Sequence, residues 1–260
     1  MSYKSPIEDF KYNLAMLNYD EVIAGIEKFK EYDSETLMSV VSEIGRLNEQ
    51  EVLDSNKIGD REGLKYVTDG AEGPEVHTPE RFKKLYDAVK SSGYVGATMP
   101  TQYGGGGAPF TTAILAGEIG IAANMAFYMG PGLSHGAMKT ILKKATEELK
   151  DKYLPNMTSG EWMGTMCLTE PQCGTDLGLI KSTAVPKDDH YELTGQKIWI
   201  SFGEHDLTEN IIHLVLARTP DAPEGIKGIS LFLVPKRLDD NSRNTTVSYT
   251  HLRAHETSQH

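Results

Sequence analysis

From Pro6 to about Asn156 the apolar residues recur mostly at helical spacing. Ile7, Phe10, Leu14 and Leu17 form one stripe, followed by Val22, Ile26 and Phe29. Ser34, with Glu35 behind it, reads as an N-cap for a helix carrying Leu37, Val40, Val41, Ile44 and Leu47 on one face. Gly, Asp and Pro dominate from Ser55 to Pro79, which predicts a long loop. Thr78-Pro79 predicts a fresh start, with Thr78 as N-cap, Pro79 at the first helical position, and Phe82, Leu85, Tyr86 and Val89 as the apolar face. A glycine-rich turn over 103–109 precedes a stretch from Thr111 to Phe127 that is apolar nearly all round and predicts a buried helix. Lys139 to Tyr153 predicts another helix, ended by Leu154-Pro155.

From about Trp162 the pattern changes to short runs rich in β-branched and aromatic residues, broken by Gly, Asp and Pro. Residues 191–193, 197–200, 211–217 and 228–234 read as strands of a compact β domain. Helices first and strands later give an α+β fold: an all-helical N-terminal domain followed by a small β-barrel-like domain. Without alternating βαβ units, a Rossmann nucleotide site is disfavoured.

Composition narrows the function classes. The 260 residues are 39% hydrophobic and 24% charged, ordinary for a soluble globular protein, and the net charge is −11. That balance, with no basic block, argues against nucleic acid or an anionic membrane surface as the main partner. Cys167 and Cys173 stand six apart, neither a redox pair nor a four-ligand metal set, so a reducing compartment is expected. The first ten residues lack the apolar core of a signal peptide. No run approaches the eighteen or so apolar residues of a membrane helix, which leaves the cytoplasm as the expected location.

Val247 to Thr257 reads VSYTHLRAHET. This stretch resembles a reading-frame translation of a transposase adapter used in preparing sequencing libraries, so residues 247–260 are expected to be a non-native tail. On that reading the native frame ends near Thr246. The competing reading is a polar surface segment in which His251, His255 and His260 form a metal tract.

The segment that carries chemistry is Met166-Cys167-Leu168-Thr169-Glu170-Pro171-Gln172-Cys173-Gly174-Thr175-Asp176-Leu177. Physically it is a strand entering a Pro- and Gly-shaped loop with two hydroxyls and two carboxylates. Such a loop can turn backbone N–H groups and Thr hydroxyls toward a polar, anionic ligand. It can equally be a turn in which Thr and Asp satisfy their own backbone.

This segment resembles the flavin-binding signature of the acyl-CoA dehydrogenase family, departing from it at Cys173 and Leu179. Two further segments are similar to the family in the same order: Leu193-Thr194-Gly195-Gln196-Lys197-Ile198-Trp199-Ile200-Ser201 and Gly228-Ile229-Ser230-Leu231-Phe232-Leu233-Val234-Pro235. In the helical half, Met99-Pro100-Thr101-Gln102-Tyr103-Gly104-Gly105 resembles the family's Pro-x-x-Tyr-Gly-Gly turn. Tyr3 to Asp9 and the helix behind it are similar to the N-terminal extension of the larger bacterial branch, which includes 3-methylmercaptopropionyl-CoA and broad-range fatty acyl-CoA dehydrogenases. The division implied is a 1–35 extension, a 36–160 helical domain and a 161–246 β middle domain.

The resemblance implies FAD as cofactor. Met166 and Leu168 would face the flavin, with the Leu168 N–H near the pyrimidine carbonyl and the Thr169 hydroxyl at the redox-active edge. Thr175 would contact the FAD pyrophosphate and lie by the CoA side of the substrate path. Trp199 and Ser201, taken to lie on the next strand, would close over the ring. Glu170 would be structural and Asp176 a loop cap.

The reaction implied is α,β-dehydrogenation of an acyl-CoA thioester to the 2-enoyl-CoA, with electron-transfer flavoprotein as acceptor and a homodimer or homotetramer as the assembly. The family's catalytic base is a Glu of a C-terminal helical domain beyond this chain, so none of the carboxylates here is assigned that role. Alternatives are a flavin-linked acyl-CoA oxidase, a non-catalytic acyl-CoA-binding member, and a DNA-damage-response relative, the last disfavoured by the acidic balance.

Overall fold

The computed structural model describes residues 3–244; the proposed adapter-derived tail at 247–260 lies outside them. Contacts divide the chain into two units. Among the described residues, one takes those up to Leu64 together with Thr78–Glu161; the other takes Lys65–His77 together with those from Trp162 onward.

The first unit is helical: α1 (Ile7–Met16), α2 (Ser34–Leu47), α3 (Leu53–Glu62), α4 (Glu80–Ser91), α5 (Phe110–Lys144) and α6 (Glu147–Ser159). Phe10 and Leu14 of α1 share a core cluster with Tyr19, with Leu37, Met38 and Val41 of α2, and with Ile119 of α5. The expected capping of α2 shifts by one residue. Asp33 is the cap, its carboxylate accepting from the Thr36 N–H at 2.8 Å, while Ser34 gives both its N–H and its hydroxyl to Asp20. The long loop expected from Ser55 is instead α3 as far as Glu62, which packs against α5. α4 begins at Glu80, one residue later than expected, with Pro79 in the extended N-cap position.

α5 is long and apolar enough to cross a membrane by length and composition alone, which the sequence reading missed. Packing against α2, α3 and α6 marks it as a core helix. It is buried on one side only: Ala116, Ile119, Ala123 and Phe127 face inward, whereas Ile114, Ile121 and Met125 are exposed. Asn124 breaks it at φ −157°. The Asn124 amide donates to the Ser55 hydroxyl (2.8 Å) and its carbonyl accepts from the Phe127 N–H (3.1 Å), so one residue kinks the helix and caps the second half.

Lys144 rather than Pro155 ends the helix containing Lys139. α6 then runs through Pro155 to Ser159 and stops at Gly160 (φ +82°). Pro155 lies on the exposed face of the helix, where the N–H it lacks is least costly. In the turn before α5, Gly105 is required sterically, since a Cβ there would lie 2.1 Å from the Met99 carbonyl oxygen.

The second unit holds three small sheets. β1 (Lys65–Val67) and β2 (Glu75–His77) form an antiparallel hairpin. β3 (Trp162–Cys167) pairs in parallel with β6 (Asn210–Ala217), and β6 pairs antiparallel with β7 (Ser230–Pro235), giving the order β3-β6-β7. β4 (Thr183–Pro186) and β5 (Tyr191–Thr194) form a second hairpin, joined to the end of β6 by an isolated bridge between Thr183 and Arg218. The helical domain and small sheet domain of the expected α+β fold are present. Within the described residues this hairpin meets the three-stranded sheet at that bridge, and no closed barrel forms.

The 65–77 hairpin is fastened to the body of its unit by charge. Arg237 Nη2 reaches Glu72 at 2.5 Å, Arg243 Nη2 donates to the Pro74 carbonyl at 2.8 Å, and His77 Nδ1 lies 3.0 Å from Asp206. Arg243 also reaches the buried Glu204 (2.9 Å), which Lys236 contacts from the other side.

Candidate functional site

β3 delivers the chain into the loop that the sequence singled out. Side chains alternate along β3, so Thr165 and Cys167 share one sheet face while Met166 lies on the other, half-buried. Beyond the strand, Leu168 and Thr169 are half-buried, and residues 170–173 fold back on themselves through paired backbone bonds (Glu170 N–H to Cys173 O, 2.8 Å; the reverse, 3.1 Å).

Glu170 is the anchor. Its carboxylate is 3% exposed and accepts from Lys197 Nζ (2.8 Å), the Lys181 N–H (2.8 Å), the Ser182 N–H (3.1 Å) and Gln172 Nε2 (2.5 Å). Burial alone would raise its pKa. The hydrogen bonds from Lys197, Ser182, Lys181 and Gln172 outweigh it and hold the group down at about 2. A carboxylate this committed is no general base, in keeping with the structural role that the resemblance implies. Farther along the loop, Asp176 accepts from the Gly178 N–H at 3.1 Å, the cap expected of it. Arg218 then pins the far end, its guanidinium donating to the carbonyls of Ile180 and Gly178, both at 2.8 Å. Thr175, between these two anchors, is exposed.

The segment expected as a strand over 197–200 is irregular. Lys197 turns inward, 5% exposed, and donates to the Leu168 carbonyl (3.0 Å) as well as to Glu170, while the Ile198 N–H donates to the Thr169 carbonyl (2.9 Å). Those bonds take the place of a sheet ladder. Trp199 follows in the left-handed region (φ +59°), 53% exposed, and half-buried Ser201 lies within the turn closed by the Gly203 N–H on Ile200 O at 3.0 Å. A bulky non-glycine residue with positive φ is strained, and here the strain holds a large aromatic out toward solvent.

The structure thus brings Leu168, Thr169, Trp199 and Ser201 into two loops clamped together, with Met166 at the strand end feeding the first. Thr175 sits apart, on the outer arm of that loop. Among the described residues neither the Thr169 hydroxyl nor its N–H has a hydrogen-bond partner. The surface presented is therefore a pair of free donors beside an exposed indole, which suits a planar, acceptor-rich ring system.

Sequence reasoning missed Lys197 as the clamp. Its signal was a cation set among Ile198, Trp199 and Ile200, which demands a buried partner; nothing in the sequence pairs it with a carboxylate twenty-seven positions away. His213 was missed too. It lies in β6 opposite Thr165, whose hydroxyl is 2.9 Å from Nδ1. Burial, then the positive charge of Lys236, push its pKa down to about 4. Burial also pushes the Cys167 thiol up to about 11, which makes it a poor nucleophile.

The chain matches two family models, "Acyl-CoA dehydrogenase, N-terminal domain" over residues 65–161 and "Acyl-CoA dehydrogenase, middle domain" over residues 165–258. With the site geometry above, this places it plainly: the chain belongs to the acyl-CoA dehydrogenase family. The second match runs into the stretch expected to be a non-native tail. Among named relatives, 3-methylmercaptopropionyl-CoA dehydrogenase of Ruegeria pomeroyi is 39% identical over 251 residues, 96% of this chain and 42% of that protein. The chain therefore spans less than half the length of this relative. Acyl-CoA dehydrogenase from Geobacillus kaustophilus superposes with a TM-score of 0.64 at 26% identity, covering 78% of this chain and 48% of the other. Acyl-CoA dehydrogenase from Bacillus anthracis, solved in complex with FAD, superposes with a TM-score of 0.61 at 25% identity, covering 80% and 32%.

Proposed function

We propose that the protein this chain belongs to carries FAD and dehydrogenates an acyl-CoA thioester to the 2-enoyl-CoA. The observation that carries the reading is the clamp of the 168–170 loop onto 197–198, which sets the free donors of Thr169 one residue away from the exposed Trp199. The donor set fits the group: an isoalloxazine is flat, rich in acceptors along one edge, and stacks on an indole. The FAD complex of the Bacillus anthracis relative supports the same cofactor.

Bound here, FAD would supply the acceptor for the hydride of the substrate β-carbon. The chain's own residues orient it. Thr169 would donate to the ring edge, Trp199 and Ser201 would cover it, Met166 and Leu168 would line it, and the exposed Thr175 would hold the pyrophosphate and the CoA side of the substrate path. The base that removes the α-proton is a carboxylate of the family's C-terminal domain. Glu170 is excluded from that role by its four hydrogen bonds.

Short acyl-CoA thioesters, with 3-methylmercaptopropionyl-CoA the first to try, are proposed as substrates on the strength of the Ruegeria relative. Electron-transfer flavoprotein as acceptor, a homodimer or homotetramer as the assembly, a role in fatty-acid metabolism and a cytoplasmic location complete the reading. Purified full-length protein should be yellow, bleach on adding an acyl-CoA, and pass electrons to an artificial one-electron acceptor. Colourless protein that takes up no added FAD overturns the reading, and rapid peroxide formation in air moves it to the oxidase alternative.

A further inference from the structure

Lys197 has a consequence beyond holding Glu170. Its ammonium makes a charge-assisted hydrogen bond to the carbonyl of Leu168 at 3.0 Å, and that carbonyl shares its peptide unit with the N–H of Thr169. A cation on the oxygen of an amide draws electron density from the nitrogen, so the N–H on the other side becomes a stronger donor. This N–H is one of the two free donors of Thr169. The next peptide is fixed as well, by the Ile198 N–H on the Thr169 carbonyl at 2.9 Å. Lys197 is 5% exposed and Glu170 3%, so little water screens the effect. Glu170 accepts from the same ammonium at 2.8 Å.

We propose that Lys197 is a positioning residue for the flavin: from behind the loop it orients and polarises the Leu168–Thr169 peptide, so that Thr169 presents its N–H and hydroxyl as preorganised donors to the ring. The proposal rests on the FAD reading above and deepens it. Donors held this way strengthen as negative charge builds on the ring, so they bind the reduced form better than the oxidised form. Supporting partners behind the contacting group commonly change affinity by about tenfold to a hundredfold when removed.

The test compares full-length, FAD-loaded protein with Glu170→Gln and with the double variant Lys197→Met/Glu170→Gln. The double variant avoids stranding a buried carboxylate without its cation. Glu170→Gln should leave FAD retention and the flavin midpoint potential close to those of the parent, because the Lys197–Leu168 bond survives. The double variant should release FAD about tenfold more readily. It should also hold the reduced form about tenfold less well relative to the oxidised, which lowers the potential by about 30 mV for a two-electron couple.

Three results overturn the proposal: a folded double variant with parental affinity and potential, an equal loss in Glu170→Gln alone, or a double variant that cannot fold while Glu170→Gln can. The last assigns Lys197 to stability only. Wild-type protein that never takes up FAD sinks the flavin reading as well, whereas the three results above leave it standing.

Discussion

Thr165 and His213 face each other as direct partners across the parallel pairing of β3 and β6, hydroxyl to Nδ1 at 2.9 Å, with the imidazole buried and uncharged. A histidine whose pKa falls from 6.5 to about 4 on folding binds protons less tightly in the native state. Stability from this site is full above about pH 6.5 and is lost as the pH drops toward 4, at a cost of roughly 3 kcal/mol when titration is complete. His205 behaves in the same sense, pushed down to about 3 by burial and by Lys236. Thermal melts from pH 7 to pH 4 should therefore show a steep fall in Tm. His213→Gln, which keeps a polar partner for Thr165, should make that fall shallower; an unchanged slope would show that His213 does not titrate in this window.

Glu170 sets a second, lower window. Its pKa is depressed from 4.5 to about 2, so the stability it contributes is present above about pH 4.5 and disappears as the pH falls through 2. At neutral pH, Glu170→Ala leaves Lys197 buried without its carboxylate and should cost about 3–5 kcal/mol, with Glu170→Gln clearly milder. Urea titrations followed by far-UV circular dichroism distinguish the two. Both variants remove the charge and only Gln keeps an acceptor for Lys197, Lys181 and Ser182, so equal costs would mean that the charge, not the hydrogen bonding, holds the loop.

Trp199 offers a separation of stability from binding. Its positive φ costs of order 1 kcal/mol in a non-glycine residue, and its exposed ring has little packing to lose. Trp199→Gly should leave the melting temperature unchanged or slightly raised while FAD dissociates more readily. A variant that melts several degrees lower with unchanged FAD affinity would recast Trp199 as a core aromatic.

Thr169→Val keeps the shape and removes the hydroxyl. One charge-assisted hydrogen bond is worth about 1.5–3 kcal/mol, or roughly tenfold to a hundredfold in rate if it is felt fully in the transition state. Flavin reduction by acyl-CoA, followed in stopped flow, should slow by that factor while acyl-CoA binding changes little. An unchanged reduction rate ends the assignment.

Much of this was legible in the sequence because the signals were local. Helical spacing at Leu37, Val41 and Ile44 and the apolar runs of β6 and β7 announced elements, and the Thr-Glu-Pro and Gly-Gln-Lys-Ile-Trp segments marked the two loops of the candidate site. What stayed hidden was non-local. The strand expected at 197–200 failed because Lys197 spends its hydrogen bonds on a loop far back in the chain. Asp33 outcompeted Ser34 as a cap because Ser34 was already engaged by Asp20. The helix behind Ser55 hid among polar residues, since its support comes from packing on α5 and α4.

The hairpin at 65–77 makes the β unit discontinuous in sequence, entered once for thirteen residues and again from Trp162. Three junctions, not one, therefore join the two units, at 64/65, 77/78 and 161/162. A gene fragment cut at the obvious helix-to-strand border would discard the hairpin and strip Arg237, Arg243 and Asp206 of their partners at Glu72, Pro74 and His77. Anyone wishing to express the sheet unit by itself would have to graft those thirteen residues back, as a linked insert or as a separate peptide supplied in trans.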